Sequence, residues 1–145
     1  MIGRASHAEL AALVEIEREC FDADAWSETL VRAELDAPSR SMLVARDGAR
    51  LVGYASVTAV GDIAELLRIA VRHDARGQGW GRQLLDEELR IARTGGAVRM
   101  LLEVAHDNDP ALRLYRSVGF TEFDRRADYY GPGRDAFVLV RSLEA

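Results

Sequence analysis

Apolar positions recur along the chain with two different periods, and the alternation between those periods sets out the elements. Short runs rich in valine, leucine, isoleucine and aromatic residues predict strands over residues 2–5, 41–46, 50–60, 62–71, 97–104, 120–126 and 135–143. Between them lie stretches with helical spacing. Ser6-x-x-Glu9 reads as a capping box ahead of Leu10, Leu13, Val14, Glu17 and Phe21, predicting a first helix to about Cys20. Ser27 can cap a second helix, with Trp26 packing on Val31 as a hydrophobic staple and Pro38 ending it. Residues 81–94 carry Leu84, Leu85, Leu89 and Ile91 or Ala92 on one face, and Gly95-Gly96 stops that helix. Asp109-Pro110 supplies a cap and a first-turn proline for a fourth, whose buried side holds Ala111, Leu112, Leu114, Tyr115 and Val118 before Gly119 ends it.

Asp47-Gly48 joins two of the strands as a hairpin, and the 62–71 strand follows closely, so three consecutive strands form an antiparallel meander. The helix after Gly79 then brings the sheet a crossover. Residues 97–104 are nearly continuously apolar, as expected of a central strand covered on both faces. The pattern as a whole predicts a mixed, mostly antiparallel sheet of about seven strands flanked by about four helices, an α/β (α+β) fold in one domain spanning residues 1–145. No repeat, linker or low-complexity segment interrupts it.

The densest local signal lies where the strand ending Ile69-Ala70-Val71 gives way to Arg76-Gly77-Gln78-Gly79-Trp80-Gly81-Arg82 and then to a helix. The first amides of a helix lack carbonyl partners and sit at the positive end of its dipole, so they suit an anion. Glycines at 77, 79 and 81 let a ligand approach that backbone, and Arg76 and Arg82 add fixed charge. Two nucleotide loops are excluded. A G-x-G-x-x-G fingerprint counted from Gly77 requires glycine at Arg82, and a Walker loop requires a lysine that this chain lacks altogether.

Composition narrows the choice further. The net charge of −5 argues against nucleic-acid binding, which favours a basic face, and suits a basic acceptor instead. Cys20 is the single cysteine, so no internal disulfide forms and a buried, inert thiol is expected. His7, His73 and His106 are dispersed, and no metal site is expected. With no signal-like segment and no run of apolar residues long enough to span a bilayer, the expectations are a cytoplasmic location and no membrane partner. A monomer is expected as well.

Arg76-x-x-Gly79-x-Gly81, placed after a strand, resembles the coenzyme A pyrophosphate loop of the GCN5-related N-acetyltransferases (GNAT). Further residues resemble the RimI-type ribosomal-protein alanine acetyltransferases of that superfamily, over a match running from about Phe21 to Leu139. They are Leu102-Glu103-Val104, Asn108, Leu114-Tyr115 with Gly119-Phe120, Tyr129-Tyr130 and Asp135-Ala136. The resemblance implies the GNAT fold, acetyl-CoA as donor and a protein N-terminal peptide as acceptor, such as that of a basic ribosomal protein. It also implies that Glu103 is the general base, acting through water, and Tyr115 the general acid on the departing thiolate. Backbone at Ile69, Ala70 and Val71, the loop Gly77 to Arg82 and the Asn108 side chain would hold the cofactor. The junction Asp22 to Trp26 would lie over the acceptor, with Asp22, Asp24 and Trp26 as candidate contacts.

The chemistry is consistent with those roles. A partly desolvated carboxylate among Leu101, Leu102 and Val104 is a better proton acceptor, as a general base requires. An α-amine with pKa ~7.8 is roughly one-tenth neutral at pH 7, whereas a lysine near ~10.4 is neutral only a few times in ten thousand, so one glutamate suffices for an N-terminus. A tyrosine of pKa ~10 is only modestly uphill as donor to a thiolate whose conjugate acid is near ~8.5. With no cysteine or serine nucleophile beside the cradle, direct attack in a ternary complex is expected. A small-molecule amine, a lysine side chain, or a silent acetyl-CoA-binding module are the alternatives. The chain departs from the subfamily where Ala127-Asp128 precede Tyr129-Tyr130, in the short turn Gly131-Pro132-Gly133-Arg134, and at the bulky Trp80.

Overall fold

A computed structural model describes residues 1–144. Seven strands form one mixed sheet in the order β1-β2-β3-β4-β5-β7-β6. The strands are β1 (Ile2–Arg4), β2 (Arg40–Asp47), β3 (Arg50–Val60), β4 (Ile63–Val71), β5 (Arg99–Ala105), β6 (Thr121–Arg126) and β7 (Ala136–Ser142). Four α-helices, α1 (Leu10–Phe21), α2 (Glu28–Asp36), α3 (Trp80–Thr94) and α4 (Asp109–Ser117), complete the predicted α/β composition. β1 with β2, β2 with β3, β5 with β7 and β6 with β7 are antiparallel, and β4 with β5 is parallel. That parallel ladder covers four residue pairs, from Ile63 with Arg99 to Leu66 with Leu102.

The chain folds as two compact units, one of Met1–Thr58 with Leu67–Glu88, the other of Ala59–Leu66 with the chain from Leu89 onward. In the first, Leu13, Val14 and Ile16 of α1 and Val31 of α2 bury against Met42, Val44, Leu51, Tyr54 and Ala70. Trp26, immediately before the Ser27 cap, packs on that cluster, and Ser27 Oγ accepts from the Leu30 amide at 3.1 Å, as the staple and cap pattern predicts. The capping box at Ser6 and Glu9 is also present, although it opens a 3-10 turn over His7–Glu9 and α1 begins one residue later. Asp47 pairs with Arg50, so the hairpin turn is Gly48-Ala49, and Gly48 has φ +63°.

The second unit departs from expectation at two points. β5 is not covered on both faces: Met100, Leu102 and Val104 are buried, whereas Leu101, Glu103 and Ala105 on the alternate face are half-buried. Its aliphatic run masks this, because leucine occurs on both faces of a strand whose side chains alternate. Asp109 is not the cap of α4 either. Asn108 is, with its Oδ1 accepting from the Ala111 amide at 3.3 Å, so Pro110 occupies the second helical position rather than the first. Either side chain can serve as a cap, and the register followed the oxygen that reached the third amide.

Candidate active site

The cofactor-like segment belongs to the first unit. β4 ends at Val71, a 3-10 turn spans His73–Ala75, and α3 opens at Trp80, one residue earlier than the glycine pattern implied. Gly77 and Gly79 have φ of +79° and +88°, in the left-handed region that strains other residues. A Cβ added at either would meet no protein atom within 4 Å, so both face open space. The first intrahelical bond runs from the Gln83 amide to the Gly79 carbonyl at 3.0 Å, leaving the amides of Trp80, Gly81 and Arg82 at the free, positive end of a 15-residue helix. This geometry suits a phosphate.

Its two arginines are placed differently from each other. Arg76 is exposed and its Nε donates to the Val71 carbonyl at 3.0 Å, which braces the strand end. Arg82 lies on the helix surface 3.8 Å from Asp86. Cys20 is half-buried and its thiol donates to the same Val71 carbonyl at 3.4 Å, burial pushing its pKa up, as an inert thiol requires. Trp80 is half-buried, and its indole N–H is buried without a hydrogen-bond partner among the described residues.

The junction from Asp22 to Trp26 is fixed by a buried polar cluster that the sequence pattern did not reveal. Glu17, fully buried in α1, accepts from the Trp26 amide at 2.8 Å, from the Tyr54 hydroxyl, and from Arg68 Nη2 and Nε at 2.8 and 3.1 Å. Arg68 also donates to the Asp24 carbonyl at 2.7 Å, with its guanidinium 3.7 Å from the Phe21 ring centroid and 4.7 Å from that of Trp26. Burial, followed by the adjacent Glu17 charge, pushes the Tyr54 phenol well above the ordinary tyrosine range. The signal was present in two places: a glutamate on the apolar face of the first helix and an arginine inside an apolar strand. Asp22 and Asp24 project to solvent.

Glu103 and Tyr115, the residues expected to move protons, lie in the second unit. Strand register places Glu103 opposite Val138, and Val138 in turn opposite Asp124; two residues along, Ala105, Ala136 and Arg126 form the next row on the same sheet face. Arg125, Phe137 and Val104 fall on the other face, where the Arg125 guanidinium lies 5.3 Å from the Phe137 ring. Arg126 therefore reaches diagonally across β7, and its Nη1 comes within 3.6 Å of Glu103 Oε1. Interaction with the same carboxylate raises the Tyr129 pKa. Tyr130 packs edge-on against Tyr129 at 5.0 Å.

Tyr115 is buried in α4, edge-on to Phe120 at 5.9 Å, and burial followed by the neighbouring Tyr130 pushes its phenol above the ordinary range. It stays protonated at neutral pH, but donation is more uphill than an ordinary phenol would imply. The turn carrying the tyrosines is tied down locally. Asp135 accepts from the Asp128 amide at 3.0 Å and from Arg125 Nε at 2.8 Å, and Asp128, at φ +55°, accepts from the Gly133 amide at 2.7 Å. Asp tolerates the left-handed region, which lets the shortened turn close. His106 donates its amide to the Asp135 carbonyl at 2.9 Å, a loop contact. His7 pairs with Asp36 at 2.7 Å and the His73 amide donates to Glu19 at 2.6 Å, both in the first unit.

Residues 10–120 match the Acetyltransferase (GNAT) family. The chain belongs to that family. Over 146 aligned residues it is 40% identical to the N-alpha-acetyltransferase RimI of Mycobacterium tuberculosis, covering 97% of this chain and 90% of the relative. It is 34% identical to the [ribosomal protein bS18]-alanine N-acetyltransferase of Salmonella typhimurium, over 93% of this chain and 92% of that one. The crystal structure of the ribosomal-protein-S18-alanine N-acetyltransferase from Escherichia coli superposes with a TM-score of 0.90 at 28% identity, covering 100% of this chain and 94% of that one. The GNAT fold and N-acetyltransferase class implied by Glu103, Tyr115 and the glycine loop are thereby established. Among the described residues, no helix is long and apolar enough to cross a membrane.

Proposed function

We propose that this GNAT acetyltransferase transfers the acetyl group of acetyl-CoA to the N-terminal α-amine of a protein, a ribosomal protein being the acceptor suggested by its relatives, and does so in the cytoplasm as a monomer. One observation supports the assignment most strongly. The turn after β6 lies by both residues assigned to proton transfer in this reading: interaction with Glu103 raises the Tyr129 pKa, and Tyr130 contributes to raising that of Tyr115.

In this reading the open-faced loop at Gly77 and Gly79, the helix-opening amides and the strand end Ile69 to Val71 hold the pyrophosphate and pantetheine of the donor. Acetyl-CoA, when bound, supplies the acetyl thioester. Asn108 contributes its amide nitrogen, since its oxygen caps α4. Glu103 takes the proton from the acceptor amine through water, and Tyr115, neutral at physiological pH, donates to the departing thiolate.

Coenzyme A release measured with a short basic peptide beginning with alanine tests the assignment. Glu103→Gln is expected to lower kcat about a hundredfold or more with acetyl-CoA binding retained. Unchanged kinetics would remove Glu103 from the mechanism, and exclusive turnover of small amines or lysine side chains would replace the acceptor.

A further inference from the structure

We propose that Arg126 is a specificity-determining residue that holds the Glu103 carboxylate until the acceptor's ammonium takes its place. The inference rests on the acceptor reading above and goes beyond it, because it concerns a residue outside the proton-transfer pair.

Three observations carry it. Arg126 and Glu103 share a sheet face by register, yet they are separated by the whole of β7, so their approach to 3.6 Å requires an extended arginine aimed along the face at that carboxylate. The guanidinium is backed by Tyr129, whose ring centroid lies 5.6 Å away. The two partners also differ in exposure. The Arg126 side chain is 54% exposed and that of Glu103 only 20%, so the cation can swing into water while the carboxylate stays. β6 is exposed along its whole length and opposes no such movement.

An α-ammonium approaching Glu103 meets a carboxylate already neutralised by a cation at the edge of the site. Binding then becomes an exchange of one cation for another. A half-exposed guanidinium is a modest competitor, since an exposed ion pair is weak and screened by salt.

The test uses the full chain and a short basic peptide beginning with alanine, with KM and kcat from coenzyme A release and Kd from calorimetry. Arg126→Gln removes the competing charge and is expected to lower KM and Kd for the peptide about two- to fivefold, with a smaller change in kcat and none in KM for acetyl-CoA. Arg126→Lys restores a cation and should return KM toward the parent value. In a Glu103→Gln background the effect of Arg126→Gln on Kd should vanish, because exchange needs the carboxylate.

A peptide KM that is unchanged or raised in Arg126→Gln overturns the exchange. So does a fall in Kd that persists without Glu103, which would mark general repulsion of basic peptides. Failure of the parent protein to bind or acetylate the peptide strikes the acceptor reading and the exchange with it. Full activity of Glu103→Gln strikes the base assignment alone.

Discussion

Replacing Arg68 by methionine leaves Glu17 as a buried carboxylate with only neutral partners, the Tyr54 hydroxyl and the Trp26 amide. In the parent protein Glu17 is fully buried and Arg68 is 17% exposed, so little solvent reaches the pair to soften the loss. Removing one member of a buried ion pair costs about 3–5 kcal/mol. Loss of the Phe21 and Trp26 ring contacts adds roughly 0.5–1 kcal/mol each, offset in part by the methionine filling the same space. We expect Arg68→Met to destabilise by about 3 kcal/mol or more, read from urea denaturation at neutral pH with an unchanged m-value. The double variant Glu17→Gln/Arg68→Met should be more stable than Arg68→Met alone, because the neutral amide keeps an acceptor for Trp26 without a stranded charge. The Asp22 to Trp26 junction should loosen, red-shifting the Trp26 fluorescence. A change within about 0.5 kcal/mol for Arg68→Met, or strict additivity in the double variant, would refute the reasoning.

Glu88 is buried in α3, with Ser41 donating to one oxygen at 2.6 Å and the other oxygen without a partner among the described residues. Burial pushes its pKa up from 4.5 to about 8. The folded state therefore holds a proton that the unfolded chain releases, and stability should fall as pH rises between those values, by at most ~1.4 kcal/mol per pH unit. Glu88→Gln should flatten that slope in denaturation curves taken from pH 5 to 8, and an unaltered slope would place the titration elsewhere. Tyr115→Phe should slow the chemical step about a hundredfold or more while preserving the fold by circular dichroism. Full activity would leave Tyr115 a packing residue only.

The sequence revealed the elements because local chemistry decided them. The Ser27 cap, the Ser6 to Glu9 box and the Asp47 to Arg50 hairpin each act within a few residues. It revealed the glycine turn before α3 for the same reason, since the glycines at 77 and 79 impose their own backbone. It failed where partners are distant in sequence. Glu17 and Arg68 each stand within an apolar pattern, and only folding brings them together at 2.8 Å. Arg126 lies 23 positions beyond Glu103, and strand register alone places the two on one face. The half-buried face of β5 was hidden by aliphatic residues that read alike on either side.

The central claim is transfer to an N-terminal α-amine. Tandem mass spectrometry of a peptide that begins with alanine and also contains an internal lysine, incubated with the protein and acetyl-CoA, tests it most directly. One acetyl group on the α-amine with the lysine unmodified is the predicted result. Acetylation of the lysine alone, or of neither amine, would contradict it.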